Sequence, residues 1–92
     1  MKKRIECIVS GRVQLVMYRD FATRAAKKLG IVGEVWNNQD GTVGLIAEGE
    51  EEILHTYAMR LKEGSLLSRV AGVTVQFNES TGAYSNFFIR YE

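Results

Sequence analysis

An arginine stands at the start of a predicted helix, in the stretch SGRVQLVMYRDF that covers residues 10–21. The helical pattern begins near Tyr18, and none of the three residues before it is a good N-cap. Arg19 places a cation in the first turn, where the helix dipole disfavours positive charge. Unpaired amides beside an arginine suit a phosphate or a carboxylate, so this segment is a candidate anion site. The alternative is that Arg19 turns towards a surface glutamate or towards water.

Two adjacent asparagines, Asn37 and Asn38, end a predicted strand just before the turn signal Asp40-Gly41. Because side chains alternate along a strand, only one of the two can face Arg19. An amide both donates and accepts without changing its protonation state, so such a side chain could orient a water molecule. By themselves the residues favour a simpler interpretation, in which both asparagines serve the turn.

The size and charge of the chain narrow its class. Its 92 residues predict a single domain spanning 1–92, and its formal net charge of +1 gives no global field for nucleic acid or acidic membrane. Cys7, the only cysteine, excludes an intrachain disulfide and a cysteine-bound zinc, and we expect it in the core. We expect no membrane span, because no apolar run approaches about 18 residues.

Location and assembly follow from similar considerations. The N-terminal residues lack the apolar core of a signal peptide, so we expect a cytoplasmic protein. No surplus apolar patch is evident from the sequence, which favours a monomer.

The periodicity predicts an α+β fold. Alternation or helical spacing indicates strands at Arg4–Gly11, Ile31–Asn37, Thr42–Glu48, Val70–Phe77 and Tyr84–Tyr91, with helices at Tyr18–Leu29 and from about Glu50 to Lys62. This order is βαββαβ plus a terminal strand. It predicts a ferredoxin-like sandwich in which two helices cover one face of a five-stranded, mostly antiparallel sheet.

The remaining aromatic and histidine residues predict packing rather than chemistry. His55 lies off the apolar stripe of its helix, so we expect it on the surface, and Trp36 should face away from Asn37. Base stacking on RNA is an alternative for the C-terminal aromatics, Tyr84, Phe87, Phe88 and Tyr91. The RNA-recognition motif pattern of glycines, aromatics and a basic residue is absent, so we expect core and edge packing instead.

Three segments resemble one family. The stretch VSGRVQLVMYR, residues 9–19, resembles the acylphosphatase signature, in which a Gly-x-Val-Gln-Gly-Val-x-(Phe/Tyr)-Arg pattern forms a phosphate loop. Residues 25–49, AAKKLGIVGEVWNNQDGTVGLIAEG, look like the second block of that family, and YSNFFIRYE looks like its C-terminal strand. The resemblance therefore covers nearly the whole chain and both candidate polar sites.

The resemblance implies hydrolysis of the carboxyl–phosphate bond of small acyl phosphates without metal or cofactor. The catalytic arginine of the family matches Arg19, and its catalytic asparagine matches Asn37. The phosphate-binding loop matches Gln14, Leu15, Val16, Met17 and Tyr18. The partner implied is the small acyl phosphate substrate, with no nucleic acid and no membrane.

Leu15 departs from the family pattern, which has a glycine at this position. A glycine permits a left-handed backbone, which costs a leucine about 1–2 kcal/mol. If all of that cost fell on transition-state binding, the rate would drop about ten- to thirtyfold. We therefore expect a slowed hydrolase if the loop keeps its shape. The alternative is a catalytically impaired anion-binding or interaction module of the same fold.

Overall fold

The computed structural model describes residues 1–91 and confirms the predicted order of elements. The five strands are β1 (Lys2–Arg12), β2 (Val32–Asn37), β3 (Val43–Glu50), β4 (Arg69–Glu79) and β5 (Phe87–Ile89). The two helices are α1 (Tyr18–Lys28) and α2 (Glu51–Glu63). The boundaries lie within two residues of the prediction except at the start of β5, and β1 and β4 are each longer than predicted at both ends.

One sheet contains all five strands in the order β4-β1-β3-β2-β5. The pairs β1–β3, β1–β4 and β2–β3 are antiparallel, whereas β2 and β5 run parallel. Each helix connects two strands that have one other strand between them, β3 between β1 and β2 for α1 and β1 between β3 and β4 for α2, as the split βαβ arrangement requires. The structure thus confirms the ferredoxin-like α+β sandwich with a mostly antiparallel sheet.

The core lies between the helices and one face of the sheet. Alternate residues of β1 and β3 are buried there, as the period of two predicts. The members from these strands are Ile5, Cys7, Val9, Val43, Leu45 and Ala47, and those from the helices are Tyr18, Ala22, Ala25, Ala26, Leu54, Tyr57 and Leu61. Burial of Cys7 is confirmed, and it raises the pKa of the thiol to about 12.

The outer surface of the helices agrees with the predicted polarity. His55 is exposed on α2, and its ring centroid lies 4.8 Å from that of Phe77. In the part of the chain that the structure describes, neither helix is long and apolar enough to cross a membrane.

The fifth strand is shorter than predicted, because only Phe87–Ile89 pairs with β2. The expectation of a strand over Tyr84–Tyr91 was therefore wrong at both ends. Tyr84 instead donates its hydroxyl to the Glu34 carboxylate, and Tyr91 is 74% exposed beyond the strand. Backbone hydrogen bonds to β2 extend one residue beyond each end of β5, to the Asn86 carbonyl and the Arg90 amide.

A buried carboxylate fixes the loop between β4 and β5. Glu48 is only 3% exposed, and it accepts hydrogen bonds from Ser80, Thr81 and Gly82. The Arg4 guanidinium adds an ion pair at 3.3 Å. Since the acceptor oxygens of Glu48 are satisfied, this charge is tolerated in the interior.

Candidate active site

The candidate site begins where β1 leaves the sheet. The register with β4 shifts between Ser10 and Gly11, which indicates a β-bulge. Gly11 has φ +115°, and a Cβ at this position would lie 2.2 Å from the carbonyl oxygen of Arg69. Only glycine fits this close approach, which directs the chain out of the sheet into the loop of residues 13–17.

Two non-glycine residues of that loop have left-handed backbones. Leu15 has φ 63° and Met17 has φ 62°. Each such conformation costs on the order of 1–3 kcal/mol and persists only where the surrounding structure enforces it. Left-handed residues at alternate positions are typical of the nests in which successive backbone amides bind an anion. The strain at Leu15 and Met17 therefore marks this loop as a functional candidate.

The start of α1 has no side-chain cap, as the sequence predicts. Its N-cap residue is Met17, whose side chain makes no capping hydrogen bond. The first amide here with a backbone acceptor is that of Phe21, which donates to the Met17 carbonyl at 3.0 Å. Among residues 1–91, no acceptor is found for the amides of residues 15–20. Six backbone donors are thus available to a ligand at this helix end.

Arg19 borders a cavity of about 410 Å³ that residues of the loop also line. The lining residues are Val13, Leu15, Met17, Tyr18, Arg19, Asp20, Ile89 and Tyr91. The guanidinium carbon of Arg19 lies 5.2 Å from the ring centroid of Tyr91, a cation–π distance. Within residues 1–91, Arg19 forms no ion pair, so the predicted alternative of a surface glutamate partner is wrong. Among the described residues, Asp20 is the one carboxylate in this lining, and its ion pair with Arg24 offsets its negative charge.

Gln14 ties the loop to the turn between β2 and β3. Its side-chain nitrogen donates to the backbone carbonyls of Asn38 and Thr42, each at 2.8 Å. That turn is itself well ordered, because the Thr42 hydroxyl and amide both donate to the Asp40 carboxylate. These bonds, the hydroxyl's first, hold the pKa of Asp40 below its usual value. Gln14 thus links the loop of residues 13–17 to a turn that has its own internal hydrogen bonds.

Asn37 lies at the end of β2, two residues after the buried Val35. The two side chains therefore share the helix-covered face, and Trp36 lies on the other face as predicted. The side-chain oxygen of Asn37 is buried and has no hydrogen-bond partner in residues 1–91. A buried amide oxygen without a partner is costly, and it is available to a water molecule or a ligand. Asn37 borders a separate cavity of about 380 Å³.

Comparison with known proteins identifies the family. A family model described as acylphosphatase matches residues 5–89. This chain belongs to the acylphosphatase family. It is 44% identical over 79 residues to an acylphosphatase of Thermus thermophilus, covering 86% of this chain and 90% of that protein.

Solved structures of the acylphosphatase family agree with the fold. The Bacillus subtilis acylphosphatase has a TM-score of 0.93 at 36% identity, with 97% of this chain and 99% of that chain covered. For an acylphosphatase from Coxiella burnetii the TM-score is 0.90 at 31% identity, with 97% and 93% covered. The similarity therefore extends over both the loop and the β2–β3 turn.

The residues that match the acylphosphatase motif fall into three groups in the structure. Leu15, Met17, Tyr18 and Arg19 line one cavity, whereas Asn37 lines another. Gln14 hydrogen-bonds the backbone carbonyl of Asn38, the residue next to Asn37. The structure therefore brings the loop and Arg19 together directly, and it ties the loop to the turn that follows Asn37.

Two loop side chains point away from the anion site. Val16 is 9% exposed and packs into the core. The Tyr18 ring is buried and donates its hydroxyl to the Leu61 carbonyl at 2.8 Å, and its burial raises the pKa of the phenol above the usual value. At Val16 and Tyr18, the backbone amides are thus the groups available to an anion.

Sequence reasoning missed the contribution of the C-terminal strand. Ile89 and Tyr91 line the cavity of Arg19 because β5 pairs in parallel with β2, bringing Ile89 beside Val35. A parallel pairing between segments about fifty residues apart has no local signature. Tyr91 was expected to serve only in packing, yet it contacts Arg19.

Trp36 has a polar role that its type did not predict. Its indole nitrogen donates to the side-chain oxygen of Asn38 at 2.9 Å, and the Arg90 guanidinium carbon lies 4.2 Å from its ring centroid. The Trp36 ring also lies where a side chain on Gly44 would be, because a Cβ there would come within 2.5 Å of the indole. Trp36 thus helps to hold the turn that Gln14 contacts.

Proposed function

We propose that this chain hydrolyses acyl phosphates, with the phosphoryl group bound by the backbone amides of residues 15–20 and by Arg19. The single observation that carries these roles is the left-handed loop, whose amides lack acceptors and whose residues line one cavity with Arg19. The relatives that the chain matches over most of its length are named acylphosphatase, which favours an enzyme over an impaired binding module.

The reaction suits this donor set. Water attacks the phosphorus, the bond between phosphorus and the acyl oxygen breaks, and the carboxylate leaves with the electron pair. Because a carboxylate is a good leaving group, the protein's main task is to bind and orient the phosphoryl oxygens. Arg19 supplies a permanent charge and several donors, and the loop amides supply fixed dipoles. The proposal requires no metal ion and no cofactor.

Asn37 is proposed to orient the attacking water. Its buried side-chain oxygen has no protein partner, so it can accept a hydrogen bond from that water without competition. Its position on the helix-covered face supports this role, as does the Gln14 bridge between the loop and the neighbouring Asn38. The water's proton passes to the product phosphate or to solvent.

Leu15 is proposed to slow the enzyme without abolishing activity. Its left-handed φ of 63° supports a loop that keeps its shape with leucine in the glycine position. The Leu15 side chain is 99% exposed to solvent, so it does not pack between the loop amides and the core. A rate deficit of no more than about thirtyfold corresponds to the 1–2 kcal/mol of strain.

Hydrolysis of benzoyl phosphate by the parent, Arg19→Ala and Arg19→Lys tests the proposal. We expect Arg19→Ala to lower kcat/KM about a hundred- to a thousandfold, as when one transition-state donor is lost. Arg19→Lys keeps the charge but not the planar fork, so it should recover only part of the loss. Lys62→Ala is the matched control, since it removes one exposed cation from the last turn of α2.

The binding of inorganic phosphate distinguishes the alternatives. A parent that binds phosphate but shows no turnover would support the impaired module and contradict the proposed activity. We further propose a cytoplasmic monomer that does not bind nucleic acid, in keeping with the formal net charge of +1. Sedimentation at micromolar concentration checks the assembly state.

A further inference from the structure

An apolar groove lies beside the anion site, between α1 and the segment that follows α2. We name it the leucine groove, and its apolar lining consists of Val16, Met17, Phe21, Leu66 and Leu67. Its volume is about 450 Å³, within the usual range for small-molecule sites. The sequence predicted no surplus apolar patch, and the structure corrects that expectation.

The leucine groove adjoins the cavity of Arg19. Met17 lines both of them, so its side chain forms a wall that the two spaces share. Leu15 lines the cavity of Arg19 and also a depression that it shares with Leu66 and Leu67. Met17 and Leu15 therefore place apolar side chains between the candidate phosphate loop and the groove.

The leucines of the groove are exposed without an intramolecular reason. Leu66 is 99% exposed and Leu67 is 63% exposed, and they are adjacent in the turn after α2. Scattered exposed leucines are ordinary, but a contiguous group beside a polar site marks a binding surface. The loop that carries them lies outside the helices and strands, so core packing does not explain their presence.

Two of the cations at the rim of the groove are already engaged. Arg24 pairs with Asp20, and the Arg60 guanidinium carbon lies 5.8 Å from the Phe21 ring centroid. Lys28 is a third cation of the lining, and the apolar residues of the groove offer contact with hydrocarbon. An uncharged, flexible chain matches these apolar residues better than an acidic group.

We infer that the leucine groove binds the acyl chain of the substrate, so that the preferred substrates are acyl phosphates with an extended aliphatic chain. This inference rests on the proposed function, because the phosphoryl group must be held at Arg19 for the chain to reach the groove. The acyl group is joined to the phosphoryl oxygen and must leave the anion site on some side. On the side of Met17 the acyl chain would contact apolar residues, so its removal from water would be favourable there.

A homologous series of substrates tests the inference. We would measure kcat/KM for acetyl, butanoyl, hexanoyl and octanoyl phosphate, each below its micelle concentration. Burial of one methylene in a half-open groove should raise kcat/KM about two- to threefold. A rise that continues to octanoyl phosphate is the expected result. Equal values along the series would overturn the groove assignment while leaving the proposed hydrolase intact.

A double variant assigns the chain preference to the groove. Leu66→Ser combined with Leu67→Ser should lower the ratio of octanoyl to acetyl kcat/KM by about tenfold, as expected for losing two apolar contacts. Met59→Ser is the matched control, because Met59 is 66% exposed on α2 and does not line the groove. Its ratio should equal that of the parent. Circular dichroism confirms that each variant is folded.

The outcomes separate the two proposals. If the parent hydrolyses no member of the series, the proposed function fails and the groove assignment fails with it. If the ratio is unchanged in the double variant but the parent is a dimer that the variant converts to a monomer, the groove is a contact between copies and the inference is wrong. If octanoyl phosphate is favoured only above its micelle concentration, an aggregate surface rather than the groove is responsible.

Discussion

The Gln14 side-chain amide donates to the Asn38 carbonyl at 2.8 Å and so ties the candidate phosphate loop to the turn that follows Asn37. The same nitrogen donates to the Thr42 carbonyl at 2.8 Å, so both of its protons are used within one turn. A donor with two short bonds fixes position as well as distance. Gln14 therefore keeps the two halves of the proposed site in register.

Loss of the Gln14 donor should weaken both stability and hydrolysis. Gln14→Ala removes two hydrogen bonds, although the Asn38 and Thr42 carbonyls keep backbone donors within the turn, so we expect the free energy of unfolding to fall by about 1–3 kcal/mol. Gln14→Glu places an acceptor against the same carbonyls, so it should cost more at pH 7 than at pH 4. Urea unfolding at both pH values measures the difference. If Gln14→Ala lowers stability but leaves kcat/KM unchanged, the bridge has only a structural role.

The buried oxygen of Asn37 suggests that this residue is retained for function rather than stability. Because the atom has no hydrogen-bond partner in residues 1–91, its removal costs no protein contact. We expect Asn37→Ala to leave the free energy of unfolding unchanged or to raise it by up to about 1 kcal/mol. We also expect kcat for benzoyl phosphate to fall about a hundredfold, as for loss of a positioning group.

The affinity for inorganic phosphate separates water positioning from phosphate binding at Asn37. Competitive inhibition by phosphate should remain within about twofold of the parent in Asn37→Ala, since the loop amides and Arg19 are retained. Asn38→Ala is the matched control at the neighbouring position. It removes the acceptor of the Trp36 indole, so it should reduce stability more than Asn37→Ala does. A large loss of phosphate affinity in Asn37→Ala would contradict the assigned role.

Local pattern was sufficient to predict the fold, and it indicated a candidate anion site that stays a prediction. Apolar periodicity located both helices, and the uncapped start of α1 with Arg19 in its first turn indicated the anion site. These features depend on neighbours in sequence, namely hydrophobic spacing and unpaired amides. The family resemblance was needed to single out Asn37, because an asparagine before a turn has an equally good structural explanation.

Long-range contacts account for what the sequence did not reveal. Three such contacts join residues more than twenty positions apart. They are the pairing of the short β5, the contact of Tyr91 with Arg19 and the two hydrogen bonds from the Gln14 side chain. The left-handed φ of Met17 was missed as well, because methionine carries no preference for that region. Such features depend on how the assembled sheet constrains the loop.

Replacement of Leu15 tests whether backbone strain is stored in the loop. Glycine relieves about 1–2 kcal/mol of left-handed strain but adds about 0.5–1 kcal/mol of unfolded-state entropy. Leu15→Gly should therefore raise the free energy of unfolding by about 0.5–1 kcal/mol, with kcat/KM rising by no more than about thirtyfold. Thermal and urea unfolding measure the first quantity, and benzoyl phosphate hydrolysis measures the second.

Alanine and asparagine at position 15 supply the controls for that strain. Leu15→Ala keeps a Cβ at φ 63° and removes a side chain that is 99% exposed, so its stability should match the parent. Leu15→Asn should lie between alanine and glycine, because asparagine tolerates the left-handed region. If alanine stabilises the protein as much as glycine does, the exposed leucine side chain and not the backbone is the source of the cost.

Glu48 should make the stability of the protein depend on acid. Its burial favours the protonated form, but hydrogen bonds from Thr81, Gly82 and Ser80 outweigh that effect and hold the pKa of the carboxyl below its usual value. A depressed pKa contributes stability that is present above the ordinary value, about 4.3, and is lost as the pH falls through the folded value. Acid should therefore release the loop of residues 80–82.

Glu48→Gln tests this contribution at two pH values. The glutamine amide keeps the shape of the side chain but loses its charge. Its NH2 group would also face the hydrogen-bond donors of residues 80–82, so we expect the free energy of unfolding to fall by about 2–3 kcal/mol at pH 7. The gap to the parent should narrow as the pH falls through the folded pKa of Glu48, because the parent's carboxylate then becomes protonated. Glu79→Gln is the matched control, because that carboxylate is 85% exposed and should change stability little at either pH. A gap that stays constant from pH 7 to pH 3 would show that the Glu48 charge does not hold the loop.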